Sequence, residues 1–407
     1  MIRKIFQYPD SIVIRWGIVS PVILFSIISL MILNGSSTNQ DILYNNFYKQ
    51  FIIIQISIVM FIVIQYMRIQ SFYEYAYHLY ILYIILLILV LFTPKIGGAS
   101  RWISIGPFSF QPSESAKLVV IFTLAKFITD NKDRMHEVKL LLVAYLIVFS
   151  PVILIFSQPD FGTAIIFFSF ILPMLFWSGI SLIYIFLSVA PIISVISSFN
   201  LYFFSIWMLI VFIVSLYMIN EIRAKALNIM ANVFFGIISP IIWENLLFPH
   251  QQQRILSLLN PMENATGANY QVNQSMIAIG SGGWFGKGIG HGTQTQLRFL
   301  PEQNTDFIIS VIGEELGFFG IVLVLGSFFI LIYSSIIIAS KISNKFFSLS
   351  AIGMIFIIFF HIVINMGMAI RVFPVTGLPL PFISYGGSFF LMCIFIISLI
   401  NKSSYNN

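Results

Sequence analysis

Residues 306–340 read DFIISVIGEELGFFGIVLVLGSFFILIYSSIIIAS, and from Gly317 onward the stretch holds 24 residues without a charged side chain. A helix crossing the hydrocarbon core of a bilayer needs about 20 predominantly apolar residues, so this run predicts a membrane span. Further apolar runs lie at 12–33, 48–67, 75–92, 114–130, 139–157, 162–178, 182–198, 203–219, 229–247, 347–370 and 386–401. The 407-residue chain as a whole agrees, with 58% apolar and 9% charged residues and a mean hydropathy of +0.96. Soluble domains carry about 25% charged residues. The expectation is an all-α polytopic membrane bundle of about 10 to 12 helices, forming one domain over 1–407, with no independent soluble domain.

Twelve runs place both termini on one side. With the N-terminus in the cytoplasm, Arg3, Lys4, Arg15, Arg68, Lys126, Lys132, Arg134, Lys139, Arg223, Lys225, Lys341, Lys345 and Lys402 fall inside; Lys49, Lys95, Arg101, Lys117, Arg254, Lys287, Arg298 and Arg371 fall outside. That excess of inside cations is the positive-inside pattern. It also accounts for the net charge of +6 without nucleic acid as a partner. A ten-span alternative lets the pair around 182–219 re-enter from the inside, turning at 197–200. Arg3 and Lys4 precede the first run and Asn34-Gly-Ser-Ser offers no small-x-small cleavage site, which reads as a retained signal anchor. The single cysteine, Cys393, excludes a disulfide framework, and the five histidines lack metal-ligand spacing.

Two outside segments are long: 93–111, TPKIGGASRWISIGPFSFQ, and about 248–305, rich in Gln, Asn and Gly. Long segments inside a compact fold are functional or disordered, and the aromatics and Arg in these favour function on the outer face.

Ionisable groups at membrane depth are expensive and mark functional candidates. Glu114 and Lys117 open the fourth run three residues apart, on one helical face, after the helix-start signal Pro112-Ser113; the alternative is a purely structural pair. Asp160 follows Gln158-Pro159 at a helix break, where a cap for the sixth run is the alternative. Asp306 comes near the end of FLPEQNTDF (299–307), and capping alone would suit a carboxylate there. The crowding of Arg298, Pro301, Glu302 and Gln303 just before it exceeds what a cap needs. Gly313 and Gly317, flanking Glu314 and Glu315, predict close helix packing. The Gly-rich stretch 280–292 fits neither a Walker A loop nor a Rossmann turn, and reads as a flexible or tightly turned outer loop. With no Asp-x-Asp in the chain, a soluble nucleotide sugar is a poor donor candidate.

Four segments carry a resemblance. GASRWISIGPFSFQPSESAKL (98–118), QPDFGTA (158–164), NPMENATGANYQVNQSMIAIGSGGWFGKGIGHGTQTQLRFLPEQNTDFIISVIGEELG (260–317) and RVFPVTGLPLPFISYGGS (371–388) resemble, in order, the motifs of the SEDS family of shape, elongation, division and sporulation proteins. GTQTQLRFLPEQNTDF and FPVTGLPLPF are similar to its elongation members, where division members tend to PEAHTDF and PTKGLTLP. The resemblance implies a peptidoglycan glycosyltransferase of the cytoplasmic (inner) membrane that polymerises lipid II during cell-wall elongation, with a class B penicillin-binding protein (a transpeptidase) and membrane lipids as partners. It implies Asp306 as the catalytic aspartate and Trp102, Glu114 and Lys117 around the central cavity, with Arg101 beside them. Asn304 departs from the family's frequent His, and 182–247 is longer than its usual single span.

Joining a sugar 4-hydroxyl to an anomeric carbon, with a lipid pyrophosphate leaving, needs a base and positive charge. Asp306 suits the base. Arg101, Lys117 and Arg298 suit the pyrophosphate, alone or with a divalent cation such as Mg or Mn; Trp102 offers a flat face to sugar or lipid; Asp160 and Gln303 complete the candidate substrate contacts. The rival readings are a lipid II flippase, a non-catalytic scaffold, and the division paralogue.

Overall fold

The computed structural model describes residues 13–35, 45–94, 100–105, 108–219, 221–245, 252, 256, 268–297 and 299–404. In chain order the elements are α1 (Trp16–Gly35), α2 (Asn46–Tyr66), α3 (Gln70–Val90), β1 (Ile103–Ile105), β2 (Phe108–Phe110), α4 (Pro112–Asp130), α5 (Val138–Phe156), α6 (Phe161–Trp177), α7 (Leu182–Ser197), α8 (Leu201–Met218) and α9 (Ile222–Asn245). They continue with α10 (Ala268–Ser281), α11 (Thr293–Gln296), α12 (Ile308–Glu315), α13 (Gly317–Lys341), α14 (Lys345–Ala369) and α15 (Gly387–Ser403). Each apolar run thus carries a helix. Many of these residues are Ile, a middling helix former in water; in lipid the helix wins because every backbone group must bond within its own segment.

Among the described residues, eight helices (α1, α2, α3, α5, α8, α9, α13 and α14) are long and apolar enough to cross a membrane, and α6, α7 and α15 are shorter apolar helices. The chain is a multi-pass membrane protein. α14 lies at the centre, buried along most of its length and packed on α4, α6 and α13. The start of α1 meets the end of α15, where the Arg15 amide donates to Asn401 (2.9 Å) and its Nε to Ser404 (3.0 Å). Both helix termini therefore sit at one end of the bundle. The described parts of the two long loops lie at the other, with β1 and β2 forming a small antiparallel hairpin, Ile103 opposite Phe110.

α7, α8 and α9 pack on one another, and α7 joins them to α6. A buried polar ladder ties the three: Ser194 donates to Asn232 (2.6 Å), Asn232 to Asn228 (2.9 Å) and Asn228 to Ser215 (2.9 Å). At the turn between α7 and α8, Ser198 bonds Ser239 (3.2 Å) and Phe199 meets the Trp243 ring edge-on. Ser239 lies about 26 Å along α9 from its start at 1.5 Å per residue. The hairpin therefore runs most of the length of α9, which supports full spanning over the shallow re-entrant alternative.

One expectation needs correction. The run at 306–340 is not one helix: it breaks at Leu316, and α13 begins on Gly317, which takes φ +69°. The cause is the Gly-rich loop, which lies against the break. A Cβ at Gly282, Gly286 or Gly317 would strike the backbone of Gly313, Glu315 or Gly286 respectively. The close approach predicted for Gly313 and Gly317 is real: Gly313 lies against Ile279 of α10, whereas Gly317 lies against Phe285 and Gly286 of the loop. The loop is tightly turned, with Gly283, Gly286, Gly288 and Gly290 at positive φ.

Candidate functional site

α4 begins on Pro112, whose missing N–H costs nothing in the first helical turn. One turn in, Lys117 Nζ donates to Glu114 Oε2 at 2.9 Å, with both side chains buried. Removing two charges from water costs several kcal/mol per ion, so their attraction alone is weak grounds for keeping them. A third group joins them: Nε2 of His361, from the middle of α14, lies 3.3 Å from Lys117 Nζ. The Phe389 ring lies alongside, 4.6 Å from the imidazole and 5.8 Å from the ammonium.

Asp160 is the N-cap of α6, accepting from the Thr163 amide at 3.3 Å. It does more than cap. Oδ2 accepts from Gln111 Nε2 at 3.0 Å, and Arg101 Nη1 lies 3.7 Å from Oδ1. Arg101 also donates to the carbonyls of Gln158 and Pro159. Its guanidinium thus pins the 158–160 turn to the base of the hairpin, and Gln111 links that turn to the start of α4. Trp102, next to Arg101, is half-buried.

Asp306 sits in a turn that precedes α12. The capping position of that helix is Phe307, without a side-chain cap, so capping does not explain the carboxylate. Three successive carbonyls of the turn are held. Tyr385 N donates to Asn304 O (2.9 Å), Ser384 Oγ to Thr305 O, and Asn365 Nδ2 to Asp306 O (2.8 Å). Asn365 Nδ2 also donates to Leu378 O at 2.7 Å. The segment 376–385 therefore forms a cradle for Asp306, and Gly377, at φ +74°, faces its carboxylate. Glu302 and Phe382 hold left-handed backbone conformations beside this turn; such conformations are costly and cluster at functional sites. Gln303 has a buried Oε1 with no partner among the described residues. Arg298 lies outside the described residues.

Glu314 latches the Gly-rich loop. Its carboxylate accepts from Lys287 Nζ (2.8 Å), Thr293 Oγ1 (3.1 Å), and the amides of Gln294 (2.9 Å) and Thr295 (3.1 Å). Lys287 also donates to Ser281 and Thr293, which occupies its three protons. A cavity of about 490 Å³ runs along α10, lined by Tyr270, Asn273, Gln274, Met276 and Ile277, none of them in the Asp306 or Lys117 clusters.

The structure thus joins Glu114 to Lys117, as sequence spacing suggested, and also joins Arg101 to Asp160, 59 positions apart, which spacing did not suggest. Sequence reasoning missed His361, Asn365, Gln111 and Ser384. The only signal for the first two was their spacing of four residues in an otherwise apolar helix, one polar stripe on one face.

Known proteins bear on this arrangement. The profile of the family described as "Cell cycle protein" (FTSW_RODA_SPOVE) matches residues 11–209 and 204–407. The two matches meet within α8. The peptidoglycan glycosyltransferase MrdB of Escherichia coli K12 is 38% identical over 292 residues, 72% of this chain and 67% of that protein. The peptidoglycan glycosyltransferase RodA of Treponema pallidum is 33% identical, over 73% of this chain and 75% of that protein. A solved chain from a study of how a peptidoglycan synthase complex coordinates polymerization and crosslinking superposes with TM-score 0.71 at 25% identity, covering 97% of this chain and 99% of that one. The crystal structure of Thermus thermophilus RodA shares the fold, with TM-score 0.64 at 23% identity over 98% of this chain and all of that one. With both halves matched and the motif residues assembled at one end of the helical bundle, the chain belongs to the FtsW, RodA and SpoVE family of cell cycle proteins.

Proposed function

We propose that this chain is a peptidoglycan glycosyltransferase that polymerises lipid II, with Asp306 as general base. The observation that carries the reading is the cradle: three consecutive backbone carbonyls fixed around one carboxylate that caps no helix. Such fixing serves a group whose position matters to about 1 Å. In the reaction, the 4-hydroxyl of one lipid-linked sugar loses its proton to Asp306 and its oxygen bonds the anomeric carbon of another. The bond from that carbon to the lipid pyrophosphate breaks, and the electron pair leaves with the pyrophosphate.

Lys117 supplies positive charge to the leaving group. Arg101 acts mainly through the 158–160 turn, since it is already engaged with two carbonyls and Asp160; Trp102 and Gln303 are left as contacts for sugar or lipid. Glu114 and Asp160 are each matched by neighbouring donors, so the described residues offer a divalent cation no unengaged carboxylate there, and no step is routed through one.

The whole chain acts as one membrane domain, in the cytoplasmic membrane, with both termini inside and the Asp306 end outside; the distribution of Lys and Arg supports this orientation. A class B penicillin-binding protein is its partner, in keeping with the synthase complex from which the structural relative comes. The test is purified protein in lipid nanodiscs supplied with lipid II and the partner. Glycan strands resolved on a gel are expected; movement of lipid II across a bilayer without polymer would overturn the reading in favour of a flippase.

A further inference from the structure

Two side chains on one face of α14 touch both halves of the site. His361 and Asn365 are one helical turn apart, about 6 Å along the axis, and both are fully buried. At the first level, His361 Nε2 lies 3.3 Å from Lys117 Nζ and Nδ1 lies 3.3 Å from the Pro379 carbonyl. An ammonium only donates and a carbonyl only accepts. The ring must therefore accept at Nε2 and donate from Nδ1, which specifies one neutral tautomer.

At the second level, Asn365 spends both amide hydrogens, one on Asp306 O and one on Leu378 O. The backbone of 378–379 is common to both levels. A chain of contacts thus runs from Lys117 through His361 to Pro379, and from Leu378 through Asn365 to Asp306.

We propose that His361 and Asn365 are positioning residues that fix the Lys117 ammonium and the Asp306 turn in one register, using residues 378–379 as a shared spacer. Lys117 sits on a flexible four-carbon stem. Glu114 and His361 take two of its three N–H groups, so the direction of the third is set, towards whatever anion the site receives. Asn365 holds the backbone of Asp306 rather than its carboxylate, so it places the base without competing for its proton. Neither residue touches the reacting atoms. Packing alone would be served by apolar side chains, which carry no desolvation cost on a buried helix face; a histidine with both ring nitrogens engaged and an asparagine with both amide hydrogens placed indicate a requirement for direction.

This inference rests on the reading of Asp306 as base and Lys117 as cation, and the experiment separates the two. Lipid II polymerisation is measured for His361→Phe, His361→Gln, Asn365→Leu and Asp306→Asn, each with a melting curve. His361→Phe and Asn365→Leu are expected to lower kcat about 10²-fold, the scale of a 1 Å misplacement, with KM changed little. His361→Gln, whose amide can accept from Lys117 and donate to Pro379, is expected to recover most of the rate. Folded His361→Phe and Asn365→Leu variants with parental kcat would overturn the proposal. A merely structural role would move melting and leave kcat of the folded fraction unchanged. If the apolar variants fail to fold, His361→Asn carries the test, since it retracts the amide by one methylene; at least tenfold lower kcat than His361→Gln is expected, and parity overturns. An active Asp306→Asn would sink the base assignment itself, whereas an inactive one beside unaffected α14 variants would sink only the positioning role.

Discussion

The carboxylate of Asp306 faces the α-carbon of Gly377: a methyl group there would sit 3.5 Å from Oδ2, in van der Waals contact, at a backbone angle of φ +74°. Gly377→Ala is expected to cost about 1–2 kcal/mol of stability, the penalty for a side chain in the left-handed region. The methyl also closes one approach to the carboxylate. Polymerisation should therefore fall at least about tenfold even well below the melting temperature, as expected when a reacting group is misplaced. A variant with lowered melting but parental turnover would show that the glycine serves only the turn.

Asp306→Asn keeps the side-chain shape while removing the proton acceptor. Asn also keeps an oxygen that accepts hydrogen bonds, so the variant should fold with a melting temperature close to the parent's. Turnover should fall by about 10²–10⁴-fold, the usual contribution of a general base. Asp306→Glu should also be poor, since one methylene moves the carboxylate by about 1 Å. Lipid II polymerisation by the purified variants, with melting as the control, decides it.

Lys117→Met leaves the Glu114 carboxylate buried without its cation, which should destabilise the fold by about 3–5 kcal/mol. Adding Glu114→Gln removes the stranded charge. The double variant should regain most of the melting temperature but not the activity. Recovery of both would make the pair a structural device and remove Lys117 from the chemistry.

Lys287 and Glu314 clamp the Gly-rich loop to the break between α12 and α13. Lys287→Met should cost about 1.5–3 kcal/mol, the worth of hydrogen bonds to charged groups. The effect should concentrate in the loop, read as faster amide hydrogen exchange at Gln294 and Thr295 with little change in α14. Uniform acceleration across the bundle would contradict a local latch.

The orientation and the α7–α8 hairpin are tested by single cysteines on exposed positions in a Cys393→Ser background. His291→Cys and Phe199→Cys should react with an impermeant thiol reagent in intact cells, and Lys132→Cys should not. Labelling at Lys132 with protection at His291 would invert the topology. Protection at Phe199 alone, with His291 labelled, would make the hairpin re-entrant.

Two levels of this protein were legible to different degrees. The apolar runs specified the helices, because in a bilayer a 20-residue apolar stretch has no alternative to internal hydrogen bonding, and short-range spacing specified Glu114 with Lys117 and Asp160 as a cap. Length and composition do not record where a helix is interrupted from outside. The break at Leu316 required the Gly-rich loop, about thirty residues earlier in the chain, to be seen against α12.

By itself the sequence determined the membrane class, the apolar helical segments, the family motifs and the identity of the carboxylate to watch. The tertiary structure decided that Lys117 meets His361 across 244 positions of chain, and that Asp306 is held by Asn365 from 59 positions away. The physical reason is that spacing along one helix fixes a face through a 3.6-residue period, whereas contacts between helices depend on which faces pack together. No local pattern carries that information.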